Sequence, residues 1–230
     1  MVKSTRRVVA VLGLVTMLLL ATGTDVLAAT ARPRVLQPRS RPFGMTYEQW
    51  AARWWQWALS IPADRNPLVD PTGQNCGVGQ SGRVWFLAGT FGGGPATRVC
   101  TVPAGKALFF PIVNAAFVAT EPGETEELAH DVLREHIDQV DVNTLGVELN
   151  GVSIPNLGSY RAHSPTFPVV FPDDNLFGAP AGFYPIAAAD GYWIMLAPLP
   201  PGTHTLHFRG ELPNGTVLDV TYTLIVTRGR

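Results

Sequence analysis

The chain has 230 residues, 17 basic and 18 acidic side chains, and a formal net charge of −1. This length is typical of one sizeable domain with a hydrophobic core. From Pro42 onward, 17 acidic side chains stand against 10 basic ones, a net charge of −7, and Lys106 is the only lysine. Nucleic acid is therefore excluded as a partner, because few cations are present to replace phosphate counterions.

The first 28 residues have the pattern of a secretory signal peptide. A basic stretch, Lys3–Arg7, precedes an apolar stretch, Val8–Leu20, and small residues come before a cleavage site after Ala28. The apolar stretch is short for a helix that spans a bilayer. We therefore expect a secreted protein, extracellular or periplasmic, without stable membrane insertion after cleavage. The paired arginines also permit twin-arginine export, although the very apolar stretch favours the general secretory route.

Residues 29–45 are rich in proline and arginine and show no apolar periodicity, which predicts a semi-extended tail. A helix is predicted next, over residues 46–61. Thr46 and Gln49 form a capping box, and Pro62 disfavours helical backbone at the residue before it. One stripe of this helix is apolar and should be buried. It consists of Tyr47, Trp50, Trp54, Trp57, Ala58 and Ile61.

Trp55 falls outside that stripe, on the side of the helix that carries Glu48. Two interpretations of this residue stay open. Its ring either flanks the core formed by the other tryptophans or serves as a stacking platform for a ligand.

Cys76 and Cys100 are the only cysteines in the chain. In an oxidising compartment such a pair predicts a disulfide. A metal site is not expected, because two cysteines without a nearby histidine cannot complete a tetrahedral ligand set. The stretch Gly77–Gly82 matches GxGxxG, but it precedes a predicted strand instead of joining a strand to a helix. It therefore does not indicate a dinucleotide site.

Most of the remaining sequence alternates with a period of two, which is typical of β-strands. Strands are predicted at Val84–Thr90, Thr97–Val102, Ala107–Val113, Tyr192–Ala197, Thr203–Gly210 and Val217–Thr227. A hairpin is predicted at Val147–Ile154, because Asn150-Gly151 is a strong hairpin signal. A second helix is predicted over residues 124–140. Its apolar face consists of Leu128, Val132, Leu133, Ile137 and Val140.

These elements predict a mainly β fold, an antiparallel β-sandwich that is Ig-like or jelly-roll-like, with two flanking α-helices. Residues 46–230 are expected to form this single domain, which includes the tryptophan-rich helix at its beginning.

The strand-turn-strand segment PLPPGTHTLHFRGELPNGTVLDVTYTLIV resembles the closing hairpin of secreted Ig-like sandwiches. The chain as a whole resembles a group of uncharacterised secreted bacterial proteins. The segments that carry this resemblance cover most of the mature chain, and they are YEQWAARWWQWALSIP, GQSGRVWFLAGTFGG, CTVPAGKALFFPIVN, DNLFG, DGYWIML and PPGTHTLHFRG. The resemblance implies a secreted β-sandwich and implies no particular activity.

Two predicted loops combine oxygen-bearing side chains with aromatic ones. The residues are Asp173, Asp174, Asn175 and Phe177 in the first loop, and Asp190, Tyr192 and Trp193 in the second. An aromatic face can take the apolar side of a sugar ring while carboxylates and amides take its hydroxyl groups. We therefore predict a small-molecule or glycan site at these loops. The same oxygens would suit calcium, although aspartates before glycines commonly only shape turns. No other cofactor is expected.

His163 lies in a polar stretch and is the one histidine of the five that we consider as a catalytic group or a ligand contact. A triad of Ser164 or Ser81 with His163 and Asp190 can be written, but the spacing does not support it.

Two function classes therefore stay open. The first is a non-catalytic extracellular or cell-envelope protein that binds a ligand, an interpretation favoured by the richness in tryptophan and tyrosine and by the low charge. The second is a glycan-active hydrolase or lyase that uses the loop carboxylates. The enzyme requires two carboxylates, or one carboxylate with His163, to converge in a cleft.

Overall fold

The computed structural model describes residues 32–228, so the predicted signal peptide, residues 1–28, lies outside the described part of the chain. Within that part there are two α-helices, α1 (Tyr47–Leu59) and α2 (Glu126–Asp138). The strands are β1 (Val84–Phe86), β2 (Gly94–Pro103), β3 (Ala107–Val118), β4 (Gly146–Leu149), β5 (Val152–Ser153), β6 (Phe167–Phe171), β7 (Gly182–Leu196), β8 (Gly202–Glu211) and β9 (Val217–Thr227). The fold is therefore mainly β, as predicted.

The predicted capping box begins helix α1. Thr46 Oγ1 accepts a hydrogen bond from the Gln49 N–H at 3.3 Å, and Gln49 Oε1 accepts one from the Thr46 N–H at 2.9 Å. Most of the predicted apolar stripe is buried, with Tyr47 and Trp54 fully enclosed. Trp50 is an exception, since its side chain is only partly buried.

The strands form two sheets. The first has the order β1-β3-β7-β6, and the second has the order β2-β9-β8-β4-β5. The hairpin predicted at Asn150-Gly151 is present, with both residues at positive φ, 52° and 75°, as a type I′ turn requires. Strand β3 contains an irregularity at Pro111, which cannot donate to the sheet, and its register against β7 shifts between Pro111 and Val113.

The expectation of purely antiparallel sheets is wrong, since each sheet contains one parallel pair. Strand β1 pairs with β3 in parallel, and β2 pairs with β9 in parallel. Strands β1, β2 and β3 alternate between the two sheets, so neither β1 and β2 nor β2 and β3 pair with each other. A strand that pairs with one distant in sequence is free of the antiparallel direction that a short hairpin turn imposes.

Consecutive side chains of β3 pack in opposite directions, which explains why this strand is apolar along most of its length. Phe109 packs edge-on against Tyr47 of α1, with ring centroids 5.5 Å apart. Phe110 stacks on Phe208 of the second sheet, with centroids 4.9 Å apart. Helix α1 and the second sheet therefore cover opposite faces of the first sheet at this point.

The predicted disulfide between Cys76 and Cys100 is present. It fastens the long loop that follows α1 to β2. Two residues earlier on β2, Arg98 is almost fully buried, and its guanidinium donates to the backbone oxygens of Asp70, Ala88 and Gly89 at 2.7–2.8 Å. These bonds tie both segments that precede β2 to the second sheet.

The apolar face predicted for α2 is partly wrong. Leu128 and Val132 are exposed, each at 43 %, whereas Ala129, Leu133 and Ile137 are buried. The residues that contact the sheet follow a strict spacing of four, so a side chain one position earlier is rotated about 100° away from the sheet. Helix α2 therefore touches the sheet along a narrow strip.

The segment before α1 is docked on the fold, although its composition predicted a semi-extended tail. The Leu36 N–H donates to the Met195 oxygen at 2.8 Å, and the Ala197 N–H donates to the Arg34 oxygen at 2.9 Å. These two bonds place residues 34–36 beside the end of β7. None of the helices in residues 32–228 combines the length and apolar character that crossing a membrane requires.

Candidate functional site

The first predicted loop lies between β6 and β7. Asp173 and Asp174 are exposed there, whereas Asn175 is buried. The Asn175 amide donates to the backbone oxygens of Pro172 and Ala179 at 3.0 and 2.7 Å, and its oxygen accepts from two backbone N–H groups. The side chain of Asn175 is therefore occupied in shaping its own loop.

The second predicted loop is not a loop, because β7 runs through it without interruption. Asp190 and Trp193 have no exposed surface, and Tyr192 is 6 % exposed. Burial raises the pKa of the Tyr192 hydroxyl. The Asp190-Gly191 pair suggested a turn, but Gly191 instead allows the backbone of β3 to approach β7 closely. A Cβ there would lie 2.4 Å from the Val113 oxygen on the neighbouring strand.

The structure does not bring the two predicted loops together. Strand β7 begins at Gly182, next to the first loop, and Asp190 lies eight residues further along. At about 3.3 Å per residue, this corresponds to roughly 26 Å. Asp173 and Asp174 therefore do not share a site with Asp190.

Asp190 belongs instead to a chain of hydrogen bonds between β7 and α2. Its Oδ2 lies 3.0 Å from His163 Nδ1, and His163 Nε2 lies 2.6 Å from His130 Nδ1. His130 Nε2 in turn lies 2.9 Å from Thr166 Oγ1. The sequence identified His163 and Asp190 as candidates but missed His130, which is 33 residues before His163 and had no partner at helical spacing.

The carboxylate of Asp190 is saturated by these neighbours. Arg161 donates to both of its oxygens, at 3.1 and 2.7 Å, and the Gly191 N–H donates to Oδ1 at 2.7 Å. The same guanidinium also pairs with Asp138. Hydrogen bonding to Asp190 and Asp138 outweighs partial burial and raises the pKa of Arg161. Ser164 takes no part, because its hydroxyl oxygen accepts from the Ala189 N–H at 2.8 Å.

A different part of the molecule contains a cavity suited to a ligand. It has a volume of about 290 Å³ and lies where α1, β3, β9 and the loops after β1 and β6 meet. We call it the aromatic cavity. It is defined by Trp55, Phe91, Asn114, Phe177, Thr216 and Leu218. Trp55 and Phe177, both singled out by sequence as aromatic candidates, therefore lie on the wall of one cavity.

Two residues of this wall carry buried donors that lack partners in the described chain. Among residues 32–228, Trp55 Nε1 and Asn114 Nδ2 make no hydrogen bond, and both atoms are buried. Trp55 is 5 % exposed and packs edge-on against Trp54 at 5.1 Å. Leaving a buried donor unpaired costs about 1–3 kcal/mol. Two such donors at one cavity therefore need a local explanation.

A glycine on the neighbouring strand β7 leaves space for the side chain of Asn114. Asn114 pairs in register with Gly191 of β7, and a Cβ at Gly191 would lie 2.6 Å from the Asn114 Cβ. The glycine that suggested a turn is thus required for a side chain of the cavity wall.

Two half-exposed phenylalanines stand at the cavity. Phe91 and Phe177 are 43 % and 38 % exposed, with ring centroids 6.0 Å apart. Phe171 stacks behind Phe177 at 5.5 Å, and the Phe91 N–H donates to the Leu68 oxygen at 3.1 Å. Both rings are therefore supported by the fold while keeping accessible surface.

Three larger cavities lack this combination. The smallest of them, of about 330 Å³, lies beside α1 between Gln49 and Pro165, and no aromatic side chain of residues 32–228 lines it. One of about 770 Å³ lies between residues 32–37 and the β4–β5 hairpin, where Gln37 and Tyr160 already bond each other at 2.8 Å. Another of about 460 Å³ lies beside α1, where the Trp57 N–H donates to the Val78 oxygen at 2.9 Å. Size alone would favour these cavities, but none of the described residues that line them carries a buried donor without a partner.

No group of three or more histidine, cysteine, aspartate or glutamate side chains in residues 32–228 is arranged to hold a metal ion. Comparison of the chain with protein-family models, with curated proteins and with solved structures found no match.

Proposed function

We propose that this protein is an exported β-sandwich that binds a small uncharged ligand in the aromatic cavity and catalyses no reaction. The observation that carries the proposal is that two residues lining one cavity, Trp55 and Asn114, each carry a buried donor, Nε1 and Nδ2, without a partner in the described chain. Both nitrogen atoms are covered in the ligand-free fold. A ligand's acceptor atom would reach them once the Trp55 and Asn114 side chains turn toward the cavity, and it would then supply the missing hydrogen-bond partner.

The wall also indicates the class of ligand. None of the described residues that line the aromatic cavity carries a charge, so an ionic ligand would lose its hydration without compensation. The rings of Trp55, Phe91 and Phe177 favour a flat or apolar face. The volume is at the small end for ligand sites. These features favour a compact uncharged ring compound with an acceptor oxygen, and neutral monosaccharides and cyclic carbonyl compounds are the first classes to test.

Export is supported by two independent features, the signal-peptide pattern and the Cys76–Cys100 disulfide, which persists in oxidising compartments. The intact mass of the protein recovered from the medium or periplasm should correspond to cleavage between Ala28 and Ala29. A retained amino terminus would overturn the proposal of export. The sandwich arrangement is supported by the Phe110–Phe208 stack between the two sheets.

The hydrolase alternative has weaker support. Asp173 and Asp174 lie in the loop before β7, far from Asp190 on that strand, and Asp190 is fully buried and held by Arg161. A glycosidase needs two carboxyl groups within reach of one glycosidic bond. The proposal therefore assigns Asp190 to the hydrogen-bond chain with His163 and not to catalysis.

The test is a ligand-observed NMR screen of neutral monosaccharides, lactones and cyclic ketones against the mature protein. We expect at least one neutral compound to bind, with affinity at least tenfold weaker in Trp55→Phe and in Asn114→Leu. The matched control is Trp57→Phe, on the same helix, whose indole already donates to Val78. Equal binding by all three variants, or binding by none of the neutral compounds, would overturn the proposal.

A further inference from the structure

His130 and His163 join helix α2 to the segment that precedes β6. His130 Nδ1 and His163 Nε2 face each other at 2.6 Å. The other nitrogen of each ring is also occupied, His163 by Asp190 and His130 by Thr166. Four groups therefore form one continuous hydrogen-bond chain.

Proton counting shows which charge states this chain tolerates. The Asp190 carboxylate only accepts, so His163 Nδ1 carries a hydrogen. With both rings neutral, His130 Nδ1 donates to His163 Nε2, and the Thr166 hydroxyl donates to His130 Nε2. With one added proton, His163 donates to His130, which donates to Thr166. Every group is satisfied in both states.

A second added proton cannot be accommodated. Both facing nitrogens would then carry hydrogens, and two donors cannot remain 2.6 Å apart. Two positive rings would also repel each other. Double protonation must therefore separate His130 from His163.

The surroundings set the direction of the response. Partial burial, followed by the charge of His163, lowers the pKa of His130. Other charged groups act on the pair from the elements packed around it. They are Glu126, Asp131 and Arg134 on α2, Arg161 on the preceding segment, Asp190 on β7, and Asp138 through Arg161.

Besides His130, a small apolar contact holds the first half of α2 on the sheet, where Ala115, Phe117 and Ile186 pack around a buried cluster. Ala129, Leu133 and Ala188 form a small apolar cluster separate from the main core. The Arg161–Asp138 ion pair lies at the far end of the helix. The two hydrogen bonds of His130, to His163 and to Thr166, are thus the polar attachment that the described structure gives to the first two turns.

We propose that the His130–His163 pair is a proton-operated latch, which holds the amino-terminal half of α2 on the first sheet until both imidazoles are protonated. A histidine with a lowered pKa binds its proton less readily in the closed state than in the open one. The closed state therefore loses stability as pH falls from the ordinary histidine range toward the lowered value, and it regains stability as pH rises.

The test is hydrogen exchange, read by mass spectrometry on peptides from residues 124–140 between pH 7.5 and 4.5 and corrected for intrinsic exchange. If the open state binds one more proton than the closed state, the equilibrium constant for opening rises about tenfold for each unit by which pH falls within the responsive window. We expect this rise in the wild type and in His136→Gln, a control on the same helix. We expect it to be absent in His130→Gln and His163→Gln.

The latch is overturned if the glutamine variants keep the wild-type pH response, or if α2 protection in the wild type is independent of pH. A second readout needs no variant. In NMR titrations of the wild type, His130 and His163 should titrate as a coupled pair, with the last protonation coinciding with the loss of α2 protection. Independent titration of the two rings, both with ordinary histidine values, would contradict the proposal.

Discussion

Trp55 and Asn114 both line the aromatic cavity, and their donors, Trp55 Nε1 and Asn114 Nδ2, are buried without a hydrogen-bond partner in residues 32–228. On the same helix, the indole N–H groups of Trp50, Trp54 and Trp57 all donate to backbone oxygens, at 2.9–3.0 Å. Trp85 and Trp193 also lack partners in the described chain, but neither is a wall residue of this cavity. The coincidence of two unpaired donors therefore distinguishes the aromatic cavity.

The first prediction compares two tryptophan substitutions on α1. Trp55→Phe and Trp57→Phe remove the same atoms, but only Trp57 loses a hydrogen bond, which it makes to the Val78 oxygen. In ligand-free protein, both substitutions should lower the free energy of unfolding. The decrease for Trp55→Phe should be about 1–2 kcal/mol smaller than that for Trp57→Phe, because Trp55→Phe deletes a donor that was already unpaired. Urea denaturation measures both values. An equal or larger cost for Trp55→Phe would mean that its N–H is satisfied in solution.

The second prediction concerns the centre of the α1 core. Trp54 has no exposed surface and contacts Trp55, Trp57 and Trp193 at centroid distances of 5.1–5.7 Å. Trp54→Ala should lower the free energy of unfolding by about 3–5 kcal/mol, the usual cost of emptying a buried aromatic site. The exposed neighbour Arg53 provides the control, since Arg53→Ala should change it by less than about 0.5 kcal/mol. Urea denaturation measures both variants, and a denaturation midpoint for Trp54→Ala close to that of the wild type would refute this account of the core.

The third prediction concerns the buried guanidinium of Arg98. Arg98→Met preserves much of the side-chain volume but leaves the carbonyl groups of Asp70, Ala88 and Gly89 without this donor. At about 1–3 kcal/mol for each lost partner, the variant should be destabilised by about 3 kcal/mol or more in chemical denaturation. Arg209→Met, at an exposed position of β8, is the matched control and should be nearly neutral. Comparable stability of the two variants would contradict this role of Arg98.

The fourth prediction concerns the disulfide. Cys76 and Cys100 are 24 residues apart and both buried. Closing a loop of this length contributes about 3–4 kcal/mol in the chain-entropy model, so a Cys76→Ala/Cys100→Ala variant should unfold at a clearly lower urea concentration. Thiol labelling of denatured, unreduced wild type should find no reactive thiol. Two labelled thiols per chain would refute the crosslink in solution.

Elements specified by neighbouring residues were predictable from sequence. The capping box of α1, the Asn150-Gly151 turn and the alternation of β9 each depend on contacts a few residues apart. The parallel pairings were not predictable, because they join strands distant in sequence and no local signal specifies the direction of such a pair. Arg98 shows the same limit. Arg98 occupies an inward position of β2 while Val99 is 53 % exposed. The polarity of the two side chains would predict the opposite orientation.

The candidate site shows a similar division. The sequence indicated Trp55 as a residue that could face a ligand, and in the structure Trp55 lines the aromatic cavity. Its role in binding stays a prediction. Asn114 and His130 could not be found from sequence. Asn114 lies in an apolar strand, and its significance depends on Gly191 of another strand. His130 depends on a contact with a residue 33 positions away.

The most direct measurement of the central claim is the indole N–H resonance of Trp55 in a ¹H–¹⁵N spectrum, assigned by its absence in Trp55→Phe. Addition of a neutral ring compound selected by the screen should shift this resonance downfield, because the N–H gains an acceptor, while the resonance of Trp57, already bonded to Val78, should stay in place. If ligand saturates the protein and the Trp55 resonance does not move, the aromatic cavity is not the binding site.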